Sequence, residues 1–159
     1  VHSRIWKMQL PYLAQHGAVV TFDGRGNGRS GRPQGSDAYL PSVFADDALA
    51  VMDEVGAESA VAVGLSMGAF WLLELMRRAP ERLDGAAFIA PSLPFGAAPA
   101  GREMPPFDER PPTFEGWARY NRHAWLEDYG GFVDFFMRQC FSEPHLLLGK
   151  TFCRDCQAA

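Results

Sequence analysis

Gly64, Leu65, Ser66, Met67 and Gly68 form a G-x-S-x-G pentapeptide, the spacing that can set a serine on a sharp strand-to-helix turn with its hydroxyl presented as a nucleophile. Glycines two before and two after the serine let neighbouring backbone pack closely, where larger residues would collide. A helix starting near Met67 would aim its positive end at the reacting centre, and the Met67 backbone N–H would then stabilise an oxyanion. The chemistry in prospect is attack of Ser66 on a carbonyl, with Met67 supplying half of an oxyanion hole. The bland alternative is a glycine-rich turn whose serine only caps a helix.

The pattern carries weight only if a buried strand precedes it and an apolar helix follows. Ala60 to Gly64 reads as a buried strand and Met67 to Arg78 as a mostly apolar helix. Upstream, Ile5, Met8, Tyr12 and Leu13 recur at helical spacing between Arg4 and His16, with Pro11 as a source of a kink and Gly17 placed for a left-handed cap. Ala18 to Phe22 is β-favouring without polar alternation, the pattern of a strand buried on both faces. Phe44, Ala48, Val51, Met52 and Val55 trace one face of a second helix, with Asp46 and Asp47 near its positive end and Gly56 past its last turn. Ala86 to Ala90 reads as a third short strand. Helix, strand, helix, strand, helix, strand is the order of an α/β fold, a parallel sheet covered by helices.

A second glycine-rich run, Asp23 to Gly31, contains a literal G-x-G-x-x-G at Gly26, Gly28 and Gly31. A dinucleotide site needs a helix to open directly on those glycines, so that a pyrophosphate meets its N-terminus. Arg32, Pro33 and a polar loop follow instead, and Asp46 and Asp47 fall inside a helix rather than at a strand end, so no nucleotide is expected.

Phe22, Asp23, Arg25, Gly26, Gly28 and Ser30 match a D-x-R-G-x-G-x-S turn, and together with the downstream serine motif the chain resembles the α/β-hydrolase family, serine hydrolase branch. Ala79, Pro80, Glu81 and Arg82 are similar to the family's exit from the nucleophile helix, and Trp6, Gln9 and Leu13 to its preceding helix. The resemblance spans Arg4 to about Pro91. It implies that Asp23, Arg25, Gly26, Gly28 and Ser30 are structural, shaping the turn beside the active site. It also implies a chain order of nucleophile, then acid, then histidine, the last two on loops after later strands. A serine at position 66 speaks against the dehalogenase branch, which uses aspartate.

Past residue 91 the character changes. Pro94, Pro99, Pro105, Pro106, Pro111 and Pro112 are followed by aromatic segments, Phe114 to Trp125 and Phe132 to Phe141, which read as short helices of a lid. The expected organisation is a core fragment over 1–91, a helical lid over 92–145 and an irregular tail over 146–159. Trp117, Tyr120 and Trp125 would line an apolar pocket or pack within the lid. His123 and His145, and the acids Asp108, Asp128 and Asp134, stand in this segment rather than after strands, and none is expected to be catalytic. Cys153 and Cys156 form a C-x-x-C lacking the strand-helix context of a redox site and the four ligands of a zinc site. The tail is read as having left the domain through truncation or a change of reading frame.

With 159 residues, 47% hydrophobic and 21% charged, the composition is that of one ordinary globular domain. A net charge of -4 without a basic cluster argues against nucleic acid as a partner. Apolar runs fall short of the roughly 20 residues of a spanning helix, which argues against a membrane protein. The odd number of cysteines, Cys140, Cys153 and Cys156, suits a reducing, cytoplasmic setting. The expectation is a serine hydrolase of esters, lactones or related carbonyl compounds, acting on a small molecule with no metal or organic cofactor. As written the chain should be nearly inert for want of its acid and base, and prone to association at an unpaired sheet edge. The rival is a non-catalytic member of the fold kept for binding.

Overall fold

The computed structural model describes residues 3–92 and 101–140. They belong to two units, one within 1–95 and the other within 96–159.

In the first unit, a helix α2 over Pro41–Glu54 starts with proline in its first turn, where the missing N–H costs nothing. It ends in a double hydrogen-bonded cap. Gly56 takes a φ of 69°, its N–H reaches the Asp53 carbonyl at 3.1 Å, and the Ala57 N–H reaches Met52 at 2.8 Å. Strand β1 follows at Ala60–Leu65, then helix α3 at Met67–Arg78 and strand β2 at Leu83–Ile89. The strands pair in parallel with Ala62 opposite Ala86, Gly64 opposite Phe88 and Leu65 opposite Ile89. Parallel neighbours need a crossover, and α3 is that crossover.

Ala69, Leu72, Leu75 and Ala79 form one stripe at intervals of three or four residues, the face α3 must bury. Leu72, Leu75 and Ala79 join Ala45 of α2 in the core, with Ala48, Leu49, Ala62, Leu83 and Ala86 packed around them. The rings of Phe44 and Trp71 stack 3.7 Å apart, 4° from parallel, and tie α2 to α3. Arg78 adds an ion pair to Asp46 at 2.7 Å. Arg82 secures the loop into β1, donating to the carbonyls of Glu58 and Ala57 at 2.7 and 3.0 Å and to Asp53 at 2.7 Å.

Several expectations are corrected. Residues 18–22 form no strand: no ladder partner for them exists among the described residues, and Val20 is half exposed. β-Propensity alone cannot make a strand when backbone groups have nothing to pair with. The sheet therefore has two described strands. β1 is not buried on both faces either, since Val61 and Val63 are 66% and 45% exposed. Among the described residues of this unit, helices cover one face of the sheet. The helix expected from Arg4 to His16 is two pieces, a 3-10 turn at Ser3–Trp6 and one turn, α1, at Leu10–Leu13. Met8, Tyr12 and Leu13 are exposed, so no packing face holds a longer helix together, and Gly17 is not in the left-handed region. β2 begins three residues earlier than expected. Among the described residues no helix is long and apolar enough to cross a membrane.

In the second unit, a 3-10 turn at Gly116–Arg119 precedes helix α4 over Arg122–Cys140, which breaks at Asp128. Asp128 accepts from the Gly131 N–H at 2.8 Å, capping the second half of the helix as an N-terminal residue would. Trp117, Tyr120 and Trp125 pack on other rings: Trp117 on Phe135, and Tyr120 and Trp125 on each other and on Phe132. Asn121 has no solvent exposure. Its Nδ2 donates to the carbonyls of Pro106 and Glu109 at 3.0 and 2.8 Å, and its Oδ1 accepts the His123 N–H at 2.9 Å, capping α4. Asn121→Ala removes a cap and the two side-chain bonds to the loop carbonyls of Pro106 and Glu109, and is expected to destabilise this unit by about 1–2 kcal/mol; an unchanged unfolding midpoint in denaturant would refute it. His145, Cys153, Cys156 and the tail over 146–159 lie outside the described residues.

Candidate active site

Ser66 occupies the joint between β1 and α3 with φ 53° and ψ −118°. Only Ser66 and Ala90 take positive φ among the described non-glycine residues, a conformation that costs a side-chain-bearing residue about 1–2 kcal/mol. It arises because β1 must give way to α3 within one residue while both stay packed. Ser66 is exposed and makes no side-chain capping bond to α3, so the capping alternative fails. Its N–H donates to Ile89 at 3.0 Å, and its carbonyl accepts from Ala69 at 3.0 Å and Ser92 at 3.1 Å. The next residue, Met67, opens α3, and a first helical N–H has no acceptor within its own helix.

The two motif glycines differ. A Cβ on Gly64 would sit 2.8 Å from the Cα of Ala69 and 2.8 Å from the Gly68 carbonyl oxygen. Only glycine fits there. A Cβ on Gly68 would meet nothing within 4 Å, so the expected crowding is absent at that position: its side faces no described element.

The upstream turn is closed by Asp23. Its carboxylate accepts the backbone N–H groups of Ser3 at 2.7 Å and Arg29 at 3.0 Å, and its carbonyl accepts the Ser30 hydroxyl at 2.5 Å. Gly28, at φ 48°, leaves room for that carboxylate, which any Cβ would strike. Gly26, at φ 78°, lies under the Tyr39 ring. Arg25 grips Asp47 of α2 with two bonds of 2.7 and 2.6 Å and donates to the Ala38 carbonyl at 2.9 Å. That hydrogen-bonded carboxylate raises the Arg25 pKa above its ordinary value. Sequence reasoning assigned Asp47 to the helix dipole and missed this pairing; a basic residue in the turn followed by an acid in the next helix was the available signal.

The described histidines and the acids singled out in the sequence are accounted for otherwise. His16 packs edge-on against Tyr12. The His123 Nε2 lies 3.1 Å from the Asp108 carbonyl oxygen. Asp108 pairs with Arg122, Asp128 caps α4, and Asp134 is exposed. Among the described residues no group of three or more His, Cys, Asp or Glu side chains is placed to hold a metal. A cleft of about 610 Å³, lined by Phe22, Arg25, Asp47, Val51 and Val55 among others, does not include Ser66. It follows from the turn and α2, not from the elbow.

A strained, exposed serine between a parallel strand and its crossover helix defines a class of protein, and comparison with known proteins agrees. The family model described as alpha/beta hydrolase fold matches residues 2–143. The chain belongs to that family. Epoxide hydrolase B of Mycobacterium tuberculosis is 38% identical over 157 residues, covering 92% of this chain and 42% of the relative. The chain thus spans less than half the length of that curated relative. Among solved structures, an N-acyl homoserine lactone degrading enzyme is similar with a TM-score of 0.58 and 27% identity, over 84% of this chain and 46% of that one. An esterase from Exiguobacterium antarcticum shares the fold with a TM-score of 0.72 at 17% identity, over 96% of this chain and 55% of its own.

Proposed function

We propose that the chain carries the nucleophile of a serine hydrolase acting on esters, lactones or related carbonyl compounds. The observation that carries this reading is the Ser66 backbone, held at φ 53° with its side chain exposed and free of capping duty. In the reaction, Oγ adds to the carbonyl carbon and a histidine takes its proton. The oxyanion is held by the Met67 N–H, a kind of donor whose loss typically costs about 10²–10³ in turnover. The alcohol leaves with that proton, and water then releases the acid from the acyl-serine. The chemistry asks for no metal or organic cofactor. A lid function for the aromatic second unit is part of the same proposal.

The name of the curated relative raises epoxides as the second substrate class, and bond chemistry weighs against them here. A serine oxygen opening an epoxide would leave an ether between Oγ and the product, which water does not release. A serine attacking a carbonyl leaves an ester, which water can cleave. In the full-length protein, hydrolysis of p-nitrophenyl butyrate with a burst of nitrophenol, and no turnover of styrene oxide, is therefore expected. Catalytic epoxide opening would overturn the reading. Silence toward both esters and a fluorophosphonate in a folded protein would favour a binding role.

A further inference from the structure

Ser66 is not held by β1 and α3 alone. We propose that the turn after β2, Ala90 to Ser92, is a positioning clamp that keeps the Ser66 backbone in its strained state; the inference rests on Ser66 being the nucleophile. The Ile89 carbonyl takes the Ser66 N–H at 3.0 Å, and the Ser92 N–H reaches the Ser66 carbonyl at 3.1 Å. One residue is thus gripped at both its peptide groups by a segment only four residues long.

The first of these bonds continues the ladder, since Leu65 and Ile89 are the last paired residues. The second requires β2 to stop. In a regular parallel ladder a residue whose N–H bonds Ile89 would offer its carbonyl to residue 91, but Pro91 has no N–H to give, so the bond comes from Ser92, one residue or about 3.3 Å further along. Ala90 bends the chain out of the ladder by taking φ 41°, a conformation alanine rarely adopts, and Pro91 narrows its alternatives further. Both described non-glycine residues with positive φ therefore lie in one backbone circuit. If the Ser66 peptides rotated toward a relaxed conformation, the two bonds would break together, so the clamp selects the geometry that presents Oγ.

The pattern was missed in the sequence because Ala90 reads as the last residue of a strand. Ala90, Ile89 and Ser92 touch no reacting atom in this account. They act through Ser66.

The test compares Ala90→Val, whose branched side chain resists positive φ, Ser92→Pro, which removes the donor, and Ala90→Gly, which reaches the same φ without strain. Two readouts are taken on the full-length protein: the rate of modification by a fluorophosphonate, and hydrogen exchange at the Ser66 amide against amides within α3. Ala90→Val and Ser92→Pro are expected to slow modification about 10–100-fold, as misplacement of a reacting group does. They should expose the Ser66 amide while α3 stays protected, and Ala90→Gly should restore both readings relative to valine. An unchanged Ser66 amide in the valine and proline variants overturns the clamp, as does a glycine variant as slow as valine. If valine unfolds the chain, the proline and glycine variants decide alone. If the unsubstituted full-length protein ignores the probe, the nucleophile proposal falls, and the exchange pattern still decides for or against the clamp.

Discussion

In the full-length protein, Ser66→Ala is expected to abolish modification by a fluorophosphonate and to lower ester turnover about a millionfold, the scale seen when a serine nucleophile is removed. That loss corresponds to about 8 kcal/mol of transition-state stabilisation. Stability should barely change, because Oγ caps nothing and alanine pays the same backbone cost at φ 53°. The pairing of the two results is the diagnostic. A variant that kept its ester turnover would remove Ser66 from the chemistry, and one that unfolded would show the hydroxyl to be structural.

Gly64→Ala is expected to damage both fold and activity. The added Cβ would lie 2.8–2.9 Å from backbone atoms of Gly68 and Ala69, and backbone cannot swing aside as a flexible side chain can. Relief requires α3 to move off β1, at about 1–3 kcal/mol for overpacking, and that movement carries Ser66 and Met67 with it. Gly68→Ala, whose Cβ meets nothing within 4 Å, should cost less. Thermal unfolding of both variants checks the order, and equal midpoints would mean that the close approach at Gly64 is not what holds the elbow.

Much of this was legible because local and long-range preferences agree. The limits of α3, Met67 and Arg78, follow from a glycine-rich start and an apolar stripe that the sheet does bury. Gly56 marks the end of α2 for a backbone reason that any sheet context would preserve. Where the reading failed, tertiary context decided. Val19 and Val20 favour β structure, but a ladder needs a partner. Leu83, Asp84 and Gly85 look poor for a strand, yet they extend β2 because β1 offers its edge. The alternation of alanine and valine in β1 resembled two buried faces because both residues are apolar, whereas only the alanine side meets helix. Asn121 went unread in the sequence: its hold on the Pro106 and Glu109 carbonyls depends on a loop that no periodicity announces.

The elbow makes its demands through backbone and through Gly64, and it asks nothing structural of the side chain at position 66. On the proposed role of Ser66, a substitution there would change the reaction while the frame that aims it survives. A lineage built on such a mount could change its chemistry without first losing stability.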